Sequence, residues 1–389
     1  MAKPMAVTLP FILLLLDIYP LKRIPFPKGI DQNLGVLLEK IPLCLLSFTS
    51  AILTVLAQRA GGAFESFERL PIHFRLLNAL HTPLFYIGRM IWPVKLLPYY
   101  PFPTVIHFFD LAYYCIAVIL VLSVTGWCIW IWRRGKCLIL IAWAYYLITL
   151  LPVVGIIQVG SQAAADRYTY LPSFSIFLLA GAGVAQLFAK FAGRKNTILV
   201  AGLCAALIFA AFAQLTVKQI KIWQESEILW RYVIQRFPGR VPVANNNLGV
   251  LYDGRGLHDK ALDEYEKTIA INPTFADAHN NLGVAYKRKG NYEKAIEQYE
   301  KALASNPNMV EARNNLGLAY YAQEMDDKAV KEYEKALAIN PAFAEAHYKL
   351  GLIYYEKKNY ASAKTHIDRA RELGYKIDPK LTELIKQAP

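Results

Sequence analysis

The sequence predicts an all-α chain in two parts, a polytopic transmembrane helix bundle followed by a superhelix of helical repeats. Three observations predict it. Apolar runs of about 20 residues crowd the first 216 positions, a motif recurs every 34 residues from position 246 onward, and charge divides unevenly between the parts. Residues 1–222 hold 19 Lys or Arg against 7 Asp or Glu, whereas the other 167 residues hold 24 against 23. Nearly all of the formal net charge of +13 therefore belongs to the apolar part, where basic residues flank membrane helices. The near-neutral second part excludes nucleic acid as the reason for a high isoelectric point.

Six segments approach the roughly 20 residues needed to cross a hydrocarbon core of about 30 Å. They are 5–21, 41–57, 111–132, 137–157, 172–191 and 197–216, of which the first two are the shortest. Basic residues lie between alternate segments: Lys22, Arg23, Lys28 and Lys40, then Arg133, Arg134 and Lys136, then Lys190, Arg194 and Lys195. The positive-inside rule makes these three loops cytoplasmic, so the stretch 158–173 (QVGSQAAADRYTYLPS) and everything after 216 fall on the outer side. The stretch near 76–103 mixes Arg89 and Lys95 with Trp92, Tyr99, Tyr100 and several prolines, the composition of an interfacial segment rather than a seventh span. Cys44, Cys115, Cys128, Cys137 and Cys204 lie in or beside apolar runs and form no CxxC pair, so they read as small apolar side chains.

The second part repeats itself. NNLGVLY (246–252), NNLGVAY (280–286), NNLGLAY (314–320) and YKLGLIY (348–354) are spaced by 34 residues. Ala261, Ala295, Ala329 and Ala363 follow at the same period, as do Tyr265, Tyr299 and Tyr333, then Pro273, Pro307 and Pro341. This pattern resembles the tetratricopeptide repeat, with four copies over 242–377. Gly249 and Ala261 are small where the two helices of a repeat cross, and the proline closes the second helix. Each helix pair leaves apolar surface that only the next pair buries. Residues 223–239, WQESEILWRYVIQRFPG, read as the degenerate second helix of an earlier repeat within a connecting segment 217–241, and 378–389 as a polar capping helix.

The first helices carry Asn246 and Asn247, Asn280 and Asn281, Asn314 and Asn315. Asparagine is a mediocre helix former, so matching pairs want a reason. One is a ladder of amides along the inner face, each able to donate to and accept from a peptide backbone. The other is that one asparagine per repeat bonds a neighbouring repeat's backbone. The arrangement looks like the asparagine ladder of the O-linked N-acetylglucosamine transferase, which holds extended peptide. Tyr348 and Lys349 break the row in the fourth repeat, and no basic residue occupies the row in the first three, which argues against a clamp for a C-terminal carboxylate.

Apolar spans followed directly by outward repeats, together with AKPMAVTLPF (2–11), WPVKLLPYYPFP (92–103), ADRYTYLPS (165–173) and SEILWR (226–231), resemble one family. It is the transmembrane and tetratricopeptide-repeat family of protein O-mannosyltransferases, in particular its bacterial relatives, within the C-type glycosyltransferase superfamily. The resemblance implies a polyprenyl-phosphate sugar as donor and a catalytic acid in a first outer loop. Here the chain begins at what looks like the middle of the family's membrane domain, and the one acidic pair in its outer segments, Glu65 and Glu68, reads as solvated loop charges or as a general base.

Lipid-phosphate binding, if retained, would fall to Arg167 with Asp166 beside it to orient the guanidinium or the acceptor. Tyr168 and Tyr170 would flank them, with Arg89 and Lys95 as further cations. The alternative is a loop anchored at the headgroup level by Arg and Tyr. Asp17 and Asp110 lie at ends of apolar runs, close enough to an interface to be hydrated. No cofactor is expected, and none of the seven histidines is paired at metal-ligand spacing. His279 and His347 sit at equivalent repeat positions and read as surface or packing residues.

Two function classes follow. The first is a membrane-anchored binding module with a peptide groove outside the cytoplasm, its partners being membrane lipids and a protein or peptide acceptor. The second is a glycosyltransferase, alone or with a further N-terminal part, that takes a polyprenyl-phosphate sugar. The family's setting implies a bacterial inner membrane with periplasmic repeats, or an endoplasmic reticulum membrane with luminal ones.

Overall fold

Helices build both parts of the chain, and they gather into two units, Met1–Gln224 and Glu225–Pro389. The computed structural model describes residues 7–24, 34–60, 72–101, 108–155, 162–191, 195–378, 380 and 383–384. Glu65, Glu68, the loop residues Lys28 and Arg194, and most of the expected capping helix lie outside the described residues.

The first unit holds α1 (Leu9–Ile18), α2 (Leu34–Leu38), α3 (Ile41–Ala60), α4 (Ile72–Ile91), α5 (Phe108–Arg133), α6 (Cys137–Leu150), α7 (Tyr170–Phe191) and α8 (Lys195–Gln224). Among the described residues, four of its stretches are long and apolar enough to cross a membrane: Leu34–Ala57, Ala112–Arg133, Asp166–Lys190 and Leu199–Gln224. Their surfaces are apolar and open, with Leu207 71% and Phe209 76% exposed, as side chains that meet lipid must be. Two of the six expected segments form shorter helices. The 10 residues of α1 rise about 15 Å, half of a hydrocarbon core. The 14 residues of α6 rise about 21 Å, and a 3-10 turn over Leu151–Val153, started where Pro152 withdraws its N–H, adds about 6 Å. Conversely, α8 continues eight residues past the expected end at 216 and absorbs part of the expected connector.

Asp17, expected to be hydrated, is 2% exposed and ion-paired. Lys40 Nζ lies 2.9 Å from its Oδ2 and Arg23 Nη1 3.2 Å from its Oδ1, while Arg23 also forks onto Glu39 at 2.8 and 2.9 Å. A buried carboxylate needs such partners, so two cations of the first basic loop serve the fold. Pairwise, α1 packs on α3 and α6, α4 on α5, α5 on α6, and α6 on α7.

The second unit runs α9 (Ser226–Arg236), α10 (Pro242–Gly254), α11 (His258–Ile271), α12 (Ala276–Arg288), α13 (Tyr292–Ser305), α14 (Val310–Ala322), α15 (Asp326–Ile339), α16 (Ala344–Glu356) and α17 (Tyr360–Glu372). Helices pair as α10/α11, α12/α13, α14/α15 and α16/α17, and each pair stacks on the next. The first helices also touch one another, α10 on α12 and α12 on α14, so they line the inner, concave side.

The small glycine of each repeat faces an aromatic or aliphatic side chain rather than the alanine. A Cβ on Gly249 would lie 2.6 Å from the Tyr265 ring, on Gly283 2.6 Å from Tyr299, on Gly317 2.9 Å from Tyr333, and on Gly351 2.6 Å from Ile367. Ala261, Ala295, Ala329 and Ala363 are all fully buried nearby. At the repeat ends, Asn272, Asn306 and Asn340 precede the closing prolines. Each accepts from the amide two residues on, at 3.1, 3.3 and 3.1 Å, an Asx turn that stops the helix.

Candidate functional site: the polar loop and the repeat groove

In the first unit the polar stretch is fastened to the segment after α4. Two short strands, β1 (Tyr100–Pro101) and β2 (Gln162–Ala164), pair antiparallel with Tyr100 opposite Ala164. Asp166 opens the 3-10 turn that follows and is buried. Its Oδ2 accepts from the Leu97 amide and, at 2.8 Å, from the Tyr100 hydroxyl, while its own amide donates to Leu97 O at 3.2 Å. Asp166 thus orients Tyr100 and the Leu97 backbone. A second buried brace runs from Tyr86, whose hydroxyl donates to Ala165 O and accepts from Ala165 N, both at 3.2 Å.

Arg167 is exposed and donates from Nη1 to Pro98 O at 3.1 Å, with its guanidinium 5.0 Å from the Tyr168 ring centroid. Tyr168 is half-buried, and Tyr170 is 77% exposed at the start of α7. Arg89 donates to Val94 O at 2.8 Å and lies 5.2 Å from the Phe85 ring and 5.4 Å from the Tyr100 ring. Lys95 is exposed, with a positive φ of 57°, and its carbonyl accepts from Tyr100 at 3.4 Å. Arg89 and Asp166 therefore converge on Tyr100, while Arg167 and Lys95 sit at exposed positions of the same segment.

The residues that hold this loop were missed in the sequence, although one signal was there. Arg75, Asn78, Thr82, Tyr86 and Arg89 recur at helical spacing along α4, and the first four are at least 94% buried. A buried polar stripe needs partners, and Asn78 finds two of them, donating to Val154 O at 3.1 Å and Ala163 O at 3.0 Å. From α8, Gln219 donates to Leu96 O at 2.8 Å.

In the second unit the asparagines form a true ladder, but its bonds run between asparagines. Asn281 donates to Asn246 Oδ1 at 3.2 Å, and Asn315 donates to Asn280 Oδ1 at 3.0 Å. The first member of each pair is buried and the second half-buried. This differs from a bond to neighbouring backbone: it spends one N–H and one oxygen per rung. The oxygens of Asn281 and Asn315, and both polar atoms of Asn247, carry no hydrogen bond among the described residues. The row ends at Asn314, whose Oδ1 is buried without a partner because Lys349 stands where the next donor would be. Tyr348 instead stacks on Tyr375, with centroids 4.7 Å apart.

Charges flank the ladder. Among the described residues, no salt bridge engages Asp277, Glu311, Glu345, Lys287 or Lys349, all on the first helices. Some charges of the second helices are paired along their own helix, as Lys267 with Asp263 and Glu264, Lys301 with Glu297, and Lys335 with Glu332. Burial pushes the Asp277 carboxyl up, and Glu311 of the next repeat adds repulsion. Burial pushes the Lys287 ammonium down, against the pull of Glu345 two repeats further on. That reach across two repeats is what a concave surface provides.

His279 and His347, expected at the surface or in packing, each bridge two elements. His279 joins Gln298 at 2.8 Å and the Pro273 carbonyl at 2.9 Å, and His347 joins His366 at 2.9 Å and the Pro341 carbonyl at 3.2 Å.

Parts of the chain are similar to known proteins. Models of the tetratricopeptide repeat match residues 276–309 and 344–373, and a TPR repeat model matches 254–290 and 325–358. The Protein O-mannosyl-transferase Tmtc2 of Drosophila melanogaster is 28% identical over 145 residues, 37% of this chain and 15% of that protein. Protein O-mannosyl-transferase Tmtc1 of the same fly is 30% identical over 137 residues, 35% of this chain and 15% of that protein. Among solved structures, the crystal structure of MamA is 26% identical with a TM-score of 0.37, covering 40% of this chain and 92% of that one. The matched stretch thus spans about one seventh of the length of these curated relatives. The chain is a membrane protein with apolar helices and a tetratricopeptide-repeat array, related to the protein O-mannosyl-transferases.

Proposed function

We propose that this chain is a membrane-anchored module that presents a peptide-binding groove on the extracytoplasmic side of its membrane. The observation that carries the reading is the half-buried row of Asn247, Asn281 and Asn315, with acceptor oxygens not engaged by the protein and flanked by uncompensated charges. An extended peptide supplies backbone N–H and C=O groups at the spacing such a row can meet. A partner side chain bearing charge would compensate Asp277, Glu311 or Lys287, which the fold leaves unpaired.

The cleanest test is Asn247→Ala, because Asn247 makes no hydrogen bond within the protein. Loss of one amide contact of about 1 kcal/mol weakens peptide capture roughly fivefold. The pair Asn281→Ala with Asn315→Ala weakens it further. Undiminished capture by both variants removes the groove. Sidedness is read with Lys331→Cys in a cysteine-free background: an impermeant thiol reagent labels intact cells in the proposed orientation and labels only opened ones in the reverse.

The similarity to O-mannosyl-transferases favours a second reading, in which the repeats deliver a protein acceptor to a membrane site using a polyprenyl-phosphate sugar. Arg167, Arg89 and Lys95 then contact phosphate, with Tyr168 and Tyr170 beside them and Asp166 holding the loop. Sugar transfer to protein by this chain, lost in Arg167→Ala, would establish that reading over the binding module.

A further inference from the structure

Three successive junctions between repeats carry a latch, formed by the side chain six places after the closing proline. Arg313 shows it most fully: Nε and Nη2 donate to Pro307 O at 3.1 and 2.7 Å, and Nη1 donates to Glu332 Oε2 at 3.0 Å. One planar group thereby ties the end of the preceding helix to the second helix of its own repeat. His279 and His347 do the same at their junctions with the two nitrogens of an imidazole.

The first junction departs from this pattern at three places. The latch position is Asn245, now seven places after Pro238, and its amide reaches only Glu264 Oε2, at 2.8 Å. The Asx-turn asparagine is replaced by Phe237. The glutamate that meets the repeat tyrosine elsewhere, as Glu300 meets Tyr320 at 2.9 Å, is replaced by Arg231, which donates to Tyr252 at 2.7 Å. At this junction α9, α10 and α11 line a cavity of about 710 Å³. Its lining includes Pro238, Gly239, Asn245, Glu264, Arg231 and Lys260.

We propose that this cavity binds the arginine side chain of a partner polypeptide. The third repeat shows the same frame already holding a guanidinium. Glu264 occupies the repeat position of Glu332, and each carboxylate also accepts from a lysine three residues on, Lys267 at 2.8 Å and Lys335 at 2.5 Å. Lysine at that position is therefore compatible with an arginine on the same carboxylate. Asp263 stands where the third repeat has Lys331, which makes this wall the more acidic of the two. Glu264 is 8% exposed, so its charge is held at a built, desolvated position, and the carbonyl end of α9 adds negative potential beside Pro238. The other lining cations are already engaged: Arg231 by Glu227 at 3.0 Å, Lys267 by Asp263 at 2.7 Å, and Lys260 near the Tyr252 ring at 5.7 Å. A guanidinium fork answers a carbonyl and a carboxylate at once, which an ammonium does less well.

The test uses the full chain in nanodiscs and a fluorescent pentapeptide with one central arginine, compared with its citrulline and lysine analogues by anisotropy. The arginine peptide binds at least tenfold more tightly than either analogue, and Glu264→Gln removes most of that margin. Asn245→Arg fills the slot from within, as Arg313 does, so it abolishes binding while raising the thermal midpoint. Asn247→Ala, on the inner face, leaves this binding unchanged. Equal affinity for arginine and citrulline peptides overturns the proposal, as does full binding to Asn245→Arg or to Glu264→Gln. Binding lost in Asn247→Ala and kept in Asn245→Arg assigns the peptide to the inner groove, overturning this site while leaving that reading intact.

Discussion

The two units are stabilised by opposite strategies. In the repeat unit nearly every contact exists in three or four copies: the glycine under an aromatic ring, the Asn–Pro turn, the latch from first helix to second. In the membrane unit the contacts that shape the polar loop exist once, and they join residues 66 to 85 positions apart, as Tyr100 to Asp166 and Asn78 to Ala163. A repeated contact can fail locally because its neighbours carry on the stack. A single contact has no understudy.

The sharpest break in that comparison is Asp166→Ala. It strands one buried donor, the Leu97 amide, at about 1–3 kcal/mol, and removes the shorter of the hydrogen bonds made by the Tyr100 hydroxyl. We expect proteolysis within residues 94–101 of the detergent-solubilised protein, with the repeats resistant. Cleavage as slow as in the parent shows that the loop has other fastenings of equal weight.

A smaller effect is expected inside the repeats from Gly283→Ala. Its Cβ would sit 2.6 Å from a fully buried Tyr299 ring, and overpacking of about 1–3 kcal/mol outweighs the roughly 1 kcal/mol that alanine gains in a helix. Gly317→Ala, with 2.9 Å to Tyr333, should cost less. Thermal unfolding orders the two variants, and equal midpoints would mean that the crossings are softer than their spacing implies.

The smallest effect is a pH dependence in the last repeat. Burial, and then the facing His347, hold the His366 imidazole below its usual value. The folded state then binds this proton less tightly than the unfolded chain. Stability contributed by the neutral ring is complete above about pH 6.5 and falls as the pH drops from there through the depressed folded value. His366→Gln reproduces the His279–Gln298 arrangement of the second repeat and should flatten the thermal midpoint between pH 7 and 5. A profile unchanged by that substitution would move the acid sensitivity elsewhere.

The same contrast explains what could be read beforehand. The repeats were legible because Gly249, Ala261, Tyr265 and Pro273 return at a fixed period, and periodicity is a property of sequence. Asparagine ladder positions were visible for the same reason, whereas the partners of each amide were not, since a bond from Asn281 to Asn246 depends on superhelical pitch. In the membrane unit, apolar length marked the long helices. Its bounds for the segments of α1 and α6 run past the described helices, where polar or proline residues interrupt a run that still reads as apolar. The anchoring of Asp166 was out of reach because nothing local to DRYTYLP names Leu97 or Tyr100.

The ladder also gives the array a direction. Each rung takes its donor from the later repeat and its acceptor from the earlier one, so the stack behaves as a polar polymer with distinguishable ends. Asn314 is the unused acceptor at one end, buried and waiting for a donor that Lys349 and the Tyr348–Tyr375 stack replace. A copy of the third repeat inserted after Pro341 would present Asn–Asn to that acceptor and extend the ladder by one rung. In this sense length is a tunable coordinate of the molecule, and the tyrosine pair is its stop.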